Sequence, residues 1–136
     1  MNAKKVCITL LMLAGAAPAL AETPKQIQAS YIAQAAHGFK PSAERGRELF
    51  IKQWAISERA PSCTSCHGKD MHAEGKHVKT GKRIAPLTPT VNAERFTSPK
   101  KVAKWFKRNC KEVVGRECTA AEKADFIQFA IEGGKV

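Results

Sequence analysis

From residue 22 onwards the apolar residues recur at helical spacing, and no segment alternates convincingly as a strand would. Thr23 and Pro24 read as the N-cap and first residue of a helix with Ile27, Tyr31 and Ala35 on one face and Gly38 beyond its end. Ser42 opens a second helix, whose Gly46, Leu49, Phe50 and Trp54 form an i, i+3, i+4, i+8 stripe. Ser98 and Pro99 open a third, with Val102, Trp105 and Phe106 inward and lysines outward. Thr119 and Glu122 form a capping box for the last, where Phe126, Phe129 and Ala130 share a face before Gly133 and Gly134 end it. Between these helices, residues 68–97 are punctuated by Gly and Pro. A compact domain seldom keeps so long a loop unless it wraps around something.

Residues 1–21 differ in kind. Lys4 and Lys5 precede an apolar run from Val6 to Leu20, and Ala19-Leu20-Ala21 forms a small-x-small cleavage site before Glu22. The run is short of the ~20 residues of a spanning helix. Cys7 lacks the small residues that precede a lipoprotein cysteine. The expectation is a secretory signal peptide over 1–21, one domain over 22–136, export to a bacterial periplasm and no membrane anchor.

Loss of Lys4 and Lys5 with the signal takes the formal net charge from +11 to +9. A basic exported protein meets little nucleic acid, and its lysines are scattered and not clustered with aromatics. An acidic protein partner attracted by charge fits better.

Four cysteines follow the signal: Cys63, Cys66, Cys110 and Cys118. The first pair stands in Cys63-Thr64-Ser65-Cys66-His67, the CxxCH attachment motif for c-type haem. Two thiols three residues apart add across the two vinyl groups of haem, and the adjacent imidazole becomes the proximal iron ligand. A thioredoxin-like pair would need a βαβ setting that is absent here. A zinc site from the four cysteines conflicts with an oxidising compartment. A plain disulfide leaves His67 without a role. One motif and no repeat predict one haem.

With this motif between two amphipathic helices, the chain resembles the class I cytochromes c. Gly46 and Phe50 correspond to that family's Gly-x-x-x-aromatic contact on the first helix, and Phe126 and Phe129 to its partner on the last. The resemblance implies an all-α fold of four to five helices wrapped around one covalent haem. Such cytochromes usually take a distal Met from a later loop. Here the one Met after the signal is Met71, four residues past His67 and tied to the proximal side. His72 and His77 share that problem in milder form, and no His or Met follows His77. Asn109, at the end of the third long helix, lies in the right region.

The run from Lys104 to Phe126, with residues 81–97 before it, resembles the sphaeroides haem protein group, a cytochrome c branch also catalogued as a domain of unknown function. By position, the resemblance implies that Asn109 supplies the distal ligand through its amide oxygen and that Cys110 and Cys118 form a disulfide beside it. It implies electrons from a partner cytochrome, typically dihaem, and dioxygen, nitric oxide or carbon monoxide at the reduced haem. A simple electron carrier, in which Asn109 only tunes the potential, is the alternative. No residue pair reads as dedicated acid-base machinery, although slow oxygen or nitric oxide reduction fits the same site. Arg83, Arg95 or Lys82 are candidates for the haem carboxylates, and Pro86 and Pro89 for shaping the loop at its edge; for Trp105 the haem and the helical core are both open.

Overall fold

The computed structural model describes residues 21–136, so the segment read as a signal peptide lies outside the described residues except for Ala21. The regular structure of the described chain is almost wholly helical: α1 Pro24–Gln34, α2 Ala43–Ile51, the single turn α3 Thr64–His67, α4 Pro99–Val113 and α5 Ala120–Ile131. Four side chains start the long helices by accepting a backbone N–H: Thr23, Ser42, Ser98 and Thr119. At Thr23 and Thr119 the third helical residue, Gln26 or Glu122, returns the bond and completes a capping box.

α5 packs against both α2 and α1. The α2–α5 crossing needs a glycine. A Cβ on Gly46 would stand 2.1 Å from the carbonyl oxygen of Asp125 and 2.9 Å from Cβ of Phe129. One turn on, Phe50 is fully buried with its ring centroid 6.0 Å from that of Phe126 and 5.8 Å from that of Phe129. Buried Asp125 joins the same two helices through polar bonds. It accepts from the backbone N–H of Ser42 at 2.6 Å and from Arg45 at 2.7 and 2.8 Å. Gln28 does the equivalent for α1, donating to the Ala124 carbonyl at 3.0 Å. Both buried polar side chains are thereby satisfied, as low-dielectric surroundings require.

The connection from 68 to 97 is not featureless. Gly75–Lys76 (β1) and Arg83–Ile84 (β2) pair antiparallel in a two-stranded hairpin. At two residues each, the strands are too short to leave a period in the sequence. A Cβ on Gly75 would lie 2.2 Å from the Cys66 carbonyl oxygen, so glycine lets the hairpin sit directly on α3. Met71 is fully buried; its N–H bonds to the Gly134 carbonyl at 3.0 Å, and its own carbonyl accepts from Leu87 and Thr88.

One expectation needs correcting: α2 ends at Ile51, so Trp54 lies beyond the helix whose stripe it is expected to extend. Of the two places the sequence leaves open for Trp105, the core beside Val102 is not the one taken: Val102 is 8% exposed, whereas Trp105 is 47% exposed and borders a cavity.

Candidate haem site

A cavity of about 580 Å³ opens between α3, the hairpin, residues 94–98 and α4. Apolar side chains form much of its wall, among them Leu49, Leu87, Phe96, Val102, Phe106 and Phe126. Cys63, Cys66, His67 and Asn109 all line it.

Cys63 and Cys66 hold free thiols at i, i+3 around a one-turn helix. Burial pushes the Cys63 thiol up to about 12, keeping it protonated and neutral. Burial also takes His67 down to about 4, with the positive charges of Arg95 and His77 adding to the effect. A neutral imidazole keeps a lone pair for a metal at physiological pH. The ring of Phe50, with its centroid 6.4 Å from that of His67, connects this imidazole to the α2–α5 core.

Asn109 is four residues short of the end of α4, whose C-cap is Val114, so it does not cap the helix. The next residue, Cys110, is bonded to Cys118 with Cα atoms 5.6 Å apart. The disulfide ties α4 to the segment that leads into α5. It is buried with Ala60, Val113 and Val114, and Cys63 packs against that cluster.

The cavity lining also includes the polar side chains His77, Thr80, Lys82, Arg83 and Arg95. Arg83 is paired with Glu74. Arg95 is half-buried, and burial pulls its pKa down. It donates to the carbonyls of Pro86 at 2.7 Å and Ala85 at 2.5 Å. His77 Nδ1 accepts from the backbone N–H of Lys79 at 3.2 Å and Thr80 at 3.3 Å, which makes Nε2 the N–H donor of the ring. His72 is elsewhere, bonded to Asp70 at 2.9 Å. The place of His77 in the site has no signal in the sequence, because only the hairpin turn brings it to the cavity.

These residues fit haem. The apolar wall suits a flat macrocycle, Arg95 and His77 suit carboxylates, and two free thiols beside a neutral imidazole suit covalent attachment with axial ligation. The comparisons with known proteins agree. Residues 36–130 match a family described as a domain of unknown function (DUF1924). The chain is 47% identical over 119 residues to the cytochrome c-type protein SHP of Cereibacter sphaeroides, covering 87% of this chain and 90% of that protein. The structure of oxidised SHP, described as an oxygen binding cytochrome c, matches with a TM-score of 0.75 at 44% identity, over 81% of this chain and 96% of that one. Oxidised cytochrome c'' of Methylophilus methylotrophus matches with a TM-score of 0.72 at 32% identity, over 82% and 95% of the two chains. The chain belongs to this family, the SHP-type class I cytochromes c, and carries one covalently bound haem c.

Proposed function

We propose that this cytochrome, exported to the periplasm as residues 22–136 after loss of a 1–21 signal peptide, accepts electrons from a partner cytochrome and binds diatomic gases when reduced. Cys63 and Cys66 hold the haem, and His67 is the proximal ligand. Bound there, haem supplies a one-electron iron couple and a coordination position for dioxygen, nitric oxide or carbon monoxide.

Asn109 controls that position. Its neutral amide oxygen is a hard, weak-field donor, better matched to ferric than to ferrous iron. The side chain is therefore expected to bind in the oxidised protein and withdraw on reduction. The Cys110–Cys118 disulfide closes a short loop, worth about 2–3 kcal/mol by the chain-entropy model. It steadies the backbone next to a ligand too weak to hold itself in place.

The observation that carries this reading is that Asn109 and His67 line one cavity, with the disulfide adjacent to Asn109. The oxygen binding recorded for SHP supports it by similarity. Titrating the reduced protein with carbon monoxide tests it. Rapid, complete binding is expected; no spectral change would leave the simple electron carrier.

A further inference from the structure

Against the expectation that the basic residues are scattered and apart from aromatics, α4 carries Lys100, Lys101, Lys104, Lys107, Arg108 and Lys111 around Trp105 in fifteen residues, with Glu112 as its one acid. At helical spacing these fall into two neighbouring stripes. Lys101, Trp105, Arg108 and Glu112 follow i, i+4, i+7, i+11, and all four line the haem cavity. Lys100, Lys104, Lys107 and Lys111 run beside them, all exposed.

The acids nearby do not neutralise this face. Glu112 is taken by Lys79 at 2.7 Å, and Glu117 stands 3.5 Å from Lys111. The remaining five cations are in no ion pair among the described residues. A helix that only meets water usually mixes both signs. At the centre lies Trp105, 47% exposed, with Lys104 Nζ at 5.9 Å and the Arg108 guanidinium carbon at 5.5 Å from its ring centroid. A half-exposed Trp held between two cations, one of them Arg, combines the two side chains most often found at the energetic centre of a protein interface.

We propose that this face of α4 is the docking surface for an acidic redox protein, with Trp105 as the central contact and the point where an electron passes towards the haem. The proposal rests on the cavity being the haem site, and it gives the partner of that reading a place to bind. One electron moves and no atoms are exchanged: the donor is oxidised by one electron, and the ferric iron is reduced to ferrous. Charge complementarity selects the occupant, since a single-sign face next to the cavity attracts carboxylates and repels a second copy of this basic chain.

Two charge-reversed variants with the same net charge test it. One carries Lys100→Glu, Lys104→Glu and Lys107→Glu, none of which lines the cavity; the other carries Lys25→Glu, Lys40→Glu and Lys69→Glu, all off α4 and away from the cavity. The probe is flavodoxin, a small acidic one-electron donor, mixed with the haem-loaded protein at low salt. The α4 variant is expected to be reduced about tenfold more slowly or worse, and the control to stay within about twofold of wild type. Amide shifts caused by oxidised flavodoxin should centre on residues 100–108. Equal slowing of both variants would overturn the proposal, because net charge would then explain the rate. So would loss of binding to phosphatidylglycerol vesicles by the α4 variant with an unchanged flavodoxin rate, which would assign the face to a lipid surface. Failure of the wild type to bind carbon monoxide would count against the gas-binding reading alone.

Discussion

Lys79 Nζ lies 2.7 Å from Glu112 Oε1, so the turn of the β1–β2 hairpin is tied to α4 one helical turn beyond Asn109. The bond holds Glu112 below the usual carboxylate range. Lys79→Met should cost only about 0.5 kcal/mol of global stability, as expected for a partly exposed pair. The local effect should be larger: hydrogen exchange of residues 75–84 should accelerate while that of α5 is unchanged. Unchanged protection in the hairpin would mean that the ion pair does not secure it.

Asn109→Ala should open the ferric site to water, azide or cyanide and leave carbon monoxide binding to the reduced protein nearly as in wild type. Asn109→Met should slow gas binding, because a soft thioether suits ferrous iron. Replacing Cys110 and Cys118 by Ser should cost about 2–3 kcal/mol and produce a ferric spectrum between wild type and Asn109→Ala. The ferric absorption and magnetic-resonance signals decide. Identical signals for Asn109→Ala and wild type would turn attention to His77, which shares the cavity.

A Cys63→Ser, Cys66→Ser double variant should lose covalent haem, and the freed cofactor should partition into acidified organic solvent. The domain should also lose stability, because a small chain depends on its cofactor to complete its core. Retention of haem through denaturation would refute attachment at these residues.

Gly46→Ala should be among the most damaging single-methyl changes in the protein. The added carbon would meet the Asp125 backbone oxygen, which cannot rotate away as a side chain can. Overpacking of this kind costs about 1–3 kcal/mol, and denaturant unfolding of the haem-loaded protein would measure it. Gly38→Ala is a useful contrast: no atom lies within 4 Å of the new carbon, and only the left-handed backbone at φ +79° opposes it.

Glu122 gives a pH dependence. Arg116 at 2.7 Å, and then the Thr119 N–H, hold its carboxyl below the usual range. A depressed folded-state pKa means that the stabilisation is full above the unfolded pKa and disappears as pH falls through the folded value. Glu122→Gln keeps the capping-box acceptor, as Gln26 does in α1, so it should cost only about 0.5 kcal/mol at neutral pH, from the water-screened ion pair. The gap between variant and wild type should narrow in acid. A constant gap from pH 7 to pH 3 would contradict the linkage.

The parts legible in the sequence are those governed by neighbours along the chain. Thr23, Ser42, Ser98 and Thr119 announce their helices because a cap acts within three residues. Gly46 and Phe50 mark the α2–α5 contact because a close crossing needs a small residue one turn from a large one. The place of Trp105 stays open in the sequence because a stripe of large apolar residues can face a core or a cofactor alike, and here the stripe edge borders a cavity. The three bonds of Asp125 span eighty residues or more, and such pairings leave no local mark. His77 reaches the cavity through a hairpin of two-residue strands, below the length at which periodicity can be read.

Met71, too close to His67 along the chain to cross to the far face of a haem, is sealed beneath the C-terminal turn with no exposed surface. It is the one thioether left after residue 21. A haem protein that handles oxygen can generate peroxide beside its own side chains, and methionine sulfur is a common target because the sulfoxide is polar and breaks core packing. Burial away from the cavity leaves residues 22–136 no accessible methionine, so an oxidant formed at a haem there would meet no exposed thioether.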